Sequence, residues 1–79
     1  MKDFSISIDN LFDPKELVVI FNPDQKEWVL GIFHSVNPVE LSIQPQEDGR
    51  LQIILAAPPY HQEDVRLIYR MLCESYHLK

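Results

Sequence analysis

The chain has little glycine, little cysteine and no long apolar run. Its two glycines, Gly31 and Gly49, lie far apart, which excludes a glycine-rich phosphate-binding loop. Its one cysteine, Cys73, cannot form an internal disulfide, so nothing indicates a disulfide-stabilised secreted scaffold. No apolar segment reaches the length of a membrane-spanning helix, and residues 1–5 lack the apolar run of a signal peptide. These absences predict a cytoplasmic protein with no membrane partner.

Basic residues are also scarce. Lys and Arg number 7 against 12 Asp and Glu, for a formal net charge of −5. Binding to a nucleic-acid backbone needs clustered Lys and Arg, so we expect no nucleic-acid partner. The apolar fraction of 46% is that of an ordinary globular protein, and a length of 79 residues corresponds to a single domain, residues 1–79.

Apolar patterning predicts up to five strands. A strand with one apolar face alternates apolar and polar residues, whereas a strand buried on both faces is apolar throughout. The predicted strands cover residues 4–8, 16–21, 27–34, 39–44 and 50–56. Asp13, Pro14 and Glu16 also form a helix-start pattern. Residues 14–21 could therefore be helical, although their β-branched content favours a strand.

The last segment, residues 60–78, predicts one long helix. At about 100° of rotation per residue, one apolar stripe faces the sheet, formed by Val65, Ile68, Tyr69, Leu72 and Tyr76. Glu63 and Asp64 lie in the first turn, where the helix dipole favours carboxylates. The predicted fold is α+β: an antiparallel four- to five-stranded meander sheet with one C-terminal helix packed across one face.

This fold leaves apolar surface uncovered. Residues 16–21 and 27–34 are apolar on both faces, yet one helix covers only one face of the sheet. Either the sheet curls into a partial barrel or a second chain supplies the missing layer, and a two-fold homodimer is the commonest form of such pairing.

The helix has a second apolar stripe formed by Leu67, Met71 and Leu78, with Arg66 and Arg70 beside it. One interpretation places these residues at the edge of the core. The other makes them a contact surface for a protein partner, because exposed apolar patches mark contacts and arginine is enriched at interfaces.

No motif predicts a catalytic, cofactor-binding or metal-binding residue. Cys73 and His77 share a helix face, but structural zinc needs four ligands and no second pair has suitable spacing. His61 and Asp64 could form an acid–base pair, although carboxylates at a helix start already have a structural explanation.

We therefore expect a small acidic, non-enzymatic protein that binds another protein as an adaptor, inhibitor or assembly factor and self-associates. The predicted contact is formed by Leu67, Met71, Leu78, Arg66 and Arg70. One alternative is a ligand-binding or catalytic subunit with a pocket between sheet and helix, formed from Tyr60, His61, Tyr69 or His34. Another is an acidic inhibitor that imitates nucleic acid.

Overall fold

The computed structural model describes residues 4–36 and 41–78, and its elements form two successive strand–strand–helix units. The first unit is β1 (Phe4–Ile8), β2 (Glu16–Phe21) and α1 (Lys26–Val36); the second is β3 (Ile43–Pro45), β4 (Leu51–Ala56) and α2 (Gln62–Leu78). The α+β class and the C-terminal helix are as predicted. Residues 14–21 contain a strand and no helix.

The four described strands form one antiparallel sheet in the order β1-β2-β4-β3. Two hairpins, β1–β2 and β3–β4, meet where β2 pairs with β4. The antiparallel pairing and four strands agree with the predicted four- to five-stranded sheet, but the predicted meander order is wrong, because a meander would place successive strands side by side. Instead, β2 and β4 are central, and β1 and β3 are the two edges.

Residues 27–34 were predicted to be a strand, and that prediction is wrong because they belong to α1. An apolar run of this length fits a buried strand or a helix equally well. The preceding residues favour the helix: Pro23 occupies a first helical position, and Gln25 Oε1 accepts the Asn22 backbone N–H at 2.9 Å. The segment expected to be a hairpin turn thus starts a helix through a short 3-10 turn.

Helical spacing then sorts the apolar run of α1 into an inner and an outer side. Val29 and Phe33, four residues apart, are fully buried, while Gly31 and His34 are exposed. Of the two segments predicted to be strands with two apolar faces, only residues 16–21 form a strand. Much of the apolar surface attributed to the sheet therefore belongs to α1 and lies between that helix and the sheet.

The second hairpin also differs from its prediction. Of the predicted strand 39–44, residues 41–42 lie outside β3, and residues 39–40 lie outside the described residues. Pro45 ends β3, which is compatible with pairing because an edge strand needs no N–H on its free side. Gly49 has φ of 91°, a left-handed conformation that favours glycine in the predicted turn. The helix α2 begins at Gln62, slightly later than predicted.

The core lies between one face of the sheet and both helices. Fully buried side chains come from β2 (Leu17, Val19, Phe21), β4 (Ile53, Leu55), α1 (Val29, Phe33) and α2 (Val65, Ile68, Leu72). No described helix covers the opposite face of the sheet. There Val18 and Ile20 are half-buried, and Ile54 is 49% exposed.

An aromatic cluster closes one end of this core and joins β1 to both helices. The ring centroids of Phe4 and Tyr76 lie 4.8 Å apart, and those of Phe4 and Trp28 lie 5.2 Å apart. Trp28 Nε1 donates a hydrogen bond to Ser75 Oγ at 2.6 Å. The cluster thereby fixes the C-terminal half of α2 over the start of the sheet.

Candidate functional site

The loop between β1 and β2, residues 9–15, is ordered by its own polar side chains. Asp9 Oδ1 accepts the backbone N–H groups of Lys15 at 2.9 Å and Glu16 at 3.1 Å, which closes the base of the loop. These two hydrogen bonds hold the pKa of Asp9 below its ordinary value, because they stabilise the carboxylate form.

Asn10 shapes the tip of the same loop. Its Oδ1 accepts the backbone N–H groups of Phe12 at 2.8 Å and Asp13 at 3.1 Å, a local pattern for which Asn is favoured in turns. The turn directs two large apolar side chains into solvent: Phe12 is 91% exposed and Leu11 is 46% exposed. The tip is therefore an apolar projection on an ordered backbone.

Two side chains of α2 attach this loop to the body of the protein. Arg66 Nη1 donates to the carbonyl oxygens of Phe12 at 3.0 Å and Leu11 at 3.4 Å. Gln62 Nε2 donates to the Asp13 carboxylate and to the Pro14 carbonyl oxygen. Because these contacts link segments about fifty residues apart in sequence, they fix the position of the loop tip relative to α2.

The outer face of α2, formed by Glu63, Leu67, Arg70 and Glu74, points away from the core. Leu67 is 44% exposed, and Arg70 is exposed. Met71 is half-buried and, with Leu67, lies outside the core cluster of the described residues. Arg66 and Leu67 line one shallow surface depression, so the predicted contact continues into the 9–15 loop through Arg66. The side chain of Leu78 lies outside the described part of the structure.

A second depression adjoins the first, and Glu63 and Arg66 line both. Lys15, Tyr60 and His61 contribute to its lining, together with Glu63 and the start of α2. Its rim therefore carries charges of both signs around an exposed imidazole. Of the residues suggested for a pocket between sheet and helix, Tyr69 and His34 do not line this depression, and His34 lies on the exposed side of α1.

The Cys73 thiol is half-buried and free. The hydroxyl pKa of Tyr69, one helical turn earlier, is raised chiefly by the charge of the Cys73 thiolate. Within residues 4–36 and 41–78, no three His, Cys, Asp or Glu side chains lie close enough together to hold a metal ion. The side chain of His77 lies outside the described residues.

Sequence patterning did not identify Leu11 and Phe12. The available signal is compositional: two large apolar residues stand inside a polar turn, between Asp9-Asn10 and Asp13-Pro14. Such a pair belongs to neither a strand alternation nor a helix stripe. Two adjacent large apolar residues within a turn sequence are candidates for an exposed contact with another protein.

In the described helices, no segment is both long and apolar enough to cross a membrane. In comparisons with known proteins, no family model, curated protein or solved structure shows a significant match to this chain.

Proposed function

We propose that this chain is a non-enzymatic protein-binding module that uses the tip of the 9–15 loop and the outer face of α2 as one contact surface. The observation that carries the proposal is Phe12, a phenylalanine 91% exposed at the tip of an ordered loop. Exposing an aromatic side chain forgoes the stabilisation of burying it, and aromatic anchors dominate the energetics of protein interfaces.

Preorganisation supports this assignment. Ordering a loop on binding costs free energy, and a loop that is already ordered avoids much of that cost. Here the backbone around Phe12 is held by the side chains of Asn10 and Arg66. The anchor is therefore presented in one position before any partner arrives.

The composition of the surface also suits a protein partner. Leu11, Phe12 and Leu67 supply apolar area, while Arg66 and Arg70 supply cationic groups at its rim. Apolar anchors surrounded by polar groups are typical of interface cores and their rims. The net charge of −5 favours approach to a basic partner surface.

The test is quantitative copurification from the source cells with the wild-type chain, Phe12→Ala and Leu67→Ser, followed by affinity measurement with the purified partner. Phe12→Ala should weaken binding about 30-fold or more, because an interface hot spot contributes at least about 2 kcal/mol. The matched control for Leu67→Ser is Ile54→Ser, which removes an apolar side chain on another face that is 49% exposed, against 44% for Leu67, and should leave affinity unchanged.

Two results would contradict this function. Equal recovery of every copurified protein by the wild-type chain and Phe12→Ala would exclude the proposed surface. Native mass spectrometry that found a retained small molecule, lost on substitution of Tyr60 or His61, would favour the alternative of a ligand-binding subunit.

A further inference from the structure

The two edges of the sheet are unequal, although they occupy equivalent places in the two hairpins. β3 is three residues long and contains Pro45, which has no N–H. β1 is five residues long, and its sequence Phe-Ser-Ile-Ser-Ile contains neither proline nor a charged residue. Natural proteins commonly block free edges with proline, charge or short length. Within the described sheet, β3 has such protection and β1 does not.

Hydrogen bonds at the strand ends show which β1 amides face the free edge. Asp9 N–H donates to the Glu16 carbonyl oxygen at 3.3 Å, in the register that pairs Ile8 with Leu17. Hydrogen-bonded pairs alternate along an antiparallel ladder, so the backbone groups of Ser5 and Ser7 are directed toward β2. Those of Phe4, Ile6 and Ile8 are directed away from the sheet.

We propose that β1 pairs antiparallel with β1 of a second copy of this chain, about a two-fold axis at Ile6. The register then places Ile6 opposite the partner's Ile6, Phe4 opposite the partner's Ile8, and Ser5 opposite the partner's Ser7. Each outward N–H of these three apolar residues meets an outward carbonyl. The two sheets become one continuous eight-stranded sheet.

A second copy fits this edge because the β1 pattern reads the same in both directions. Antiparallel pairing about Ile6 matches apolar residues with apolar residues on the helix-covered face and serine with serine on the open face. A two-fold contact requires such self-complementarity. Phe4, Ile6 and Ile8 are each only half-buried in the single chain, so the pairing covers apolar area that the core leaves open.

The distribution of charge also favours a second copy of this chain as the partner of β1. Two copies of net charge −5 repel each other, and a contact between them is favoured where the surface is neutral. β1 is such a segment, with two exposed serines and no ionisable side chain. Dimerisation through it should therefore strengthen as salt screens the remaining repulsion.

The test uses the purified chain and substitutions at Ser5 and Ser7, which are exposed and face each other across the proposed axis. Ser5→Lys with Ser7→Glu places opposite charges together and leaves the net charge unchanged. Ser5→Glu with Ser7→Glu, and Ser5→Lys with Ser7→Lys, place like charges together. Sedimentation between about 1 μM and 1 mM protein should show a dimer dissociation constant about 25-fold higher for the like-charge variants than for the opposite-charge variant, about fivefold for each of the two facing pairs.

Ile54→Gln on the open face of the sheet is the control and should leave the dissociation constant unchanged. A wild-type chain that is monomeric throughout this range would overturn the proposal. So would a dimer indifferent to the charge pattern, and so would a dimer lost in Ile54→Gln, which would indicate packing of sheet faces instead.

Amide hydrogen exchange of the wild-type chain provides a second test without any substitution. Raising the protein concentration should slow exchange at the outward amides of Phe4, Ile6 and Ile8, while the amides of Ser5 and Ser7, directed toward β2, should change little. Equal slowing of exchange at all five amides, or no slowing at any of them, would contradict the proposed register. This result is independent of the proposed function, whose tests depend on Phe12 and Leu67.

Discussion

At the scale of single residues, Asp9 determines the shape of the loop that carries the proposed contact. Its carboxylate accepts the two backbone N–H groups at the point where the loop enters β2. Asn10 repeats this arrangement one residue later. Neighbouring side chains thus hold the backbone, and Phe12 gains a fixed position without being buried.

Replacing Asp9 with Asn should lower the melting temperature at neutral pH by removing the charge from both hydrogen bonds. Because the pKa of Asp9 is lowered in the folded state, its stabilising effect is complete above the ordinary pKa of 3.8. The effect is lost as pH falls through the folded value. Melting curves recorded by circular dichroism should show a gap between wild type and variant that closes in acid.

The control for this titration is Glu47→Gln, a change at an exposed carboxylate in the turn before β4. The difference in melting temperature between Glu47→Gln and the wild type at neutral pH should be smaller than the difference for Asp9→Asn. A gap for Asp9→Asn that widened as the pH fell would contradict the assigned role of the carboxylate.

At the scale of elements, two similar apolar runs have different outcomes. Residues 17–21 form a strand, whereas residues 28–33 form part of a helix. Asp13 and Pro14 precede the first run, and Asn22 and Pro23 precede the second, so both carry a helix-start signal. In the first run every second residue is buried, at Leu17, Val19 and Phe21, as in a strand with one covered face. In the second run the buried residues are Val29 and Phe33, four apart with none buried between them, as on one side of a helix.

Replacing Gly31 with Ala should stabilise the protein by about 0.5–1 kcal/mol, because glycine in a helix interior is less favourable than alanine. A Cβ at this position would meet no atom within 4 Å, so the change introduces no clash. Urea unfolding monitored by Trp28 fluorescence would measure this increase in the free energy of unfolding.

Gly49→Ala is the matched comparison and should destabilise the protein, because Gly49 has a positive φ of 91°. Stabilisation by Gly49→Ala together with destabilisation by Gly31→Ala would contradict the assignment of α1 and of the turn.

At the scale of the whole molecule, a short chain has to divide its apolar residues between a core and a surface. The core takes one face of the sheet and the inner sides of both helices. The phenylalanines show this division: Phe33 is 1% exposed in the core, and Phe12 is 91% exposed at the surface. Stability and binding should therefore respond separately to changes at these positions.

Phe33→Ala should destabilise the fold by about 3–5 kcal/mol, as expected for truncating a buried phenylalanine, and that is a large part of the stability of a typical domain. Phe12→Ala should change the free energy of unfolding by less than about 0.5 kcal/mol. Urea unfolding of both variants would measure the difference. Comparable losses would show that Phe12 belongs to the fold rather than to a contact surface.

Local patterning was sufficient to predict those elements whose conformation depends on neighbouring residues. Alternation defined β1, the helical stripe of Val65, Ile68 and Leu72 defined the inner side of α2, and Asp48-Gly49 defined a turn. It also placed Leu67 on a second apolar stripe of α2 but left open whether that stripe belongs to the edge of the core or to a contact surface, and the role of Leu67 in binding remains a prediction.

The conformation and position of the remaining segments depend on contacts between distant parts of the chain. A short apolar run has nearly the same propensity for a strand and for a helix, so packing against the sheet and α2 determined the state of residues 28–33. The position of Phe12 depends on Arg66, which is distant in sequence. The edge position of β3 depends on β2 pairing with β4 rather than with β3, the next strand along the chain. These contacts join residues far apart along the chain, and local patterning contains no information about such distances.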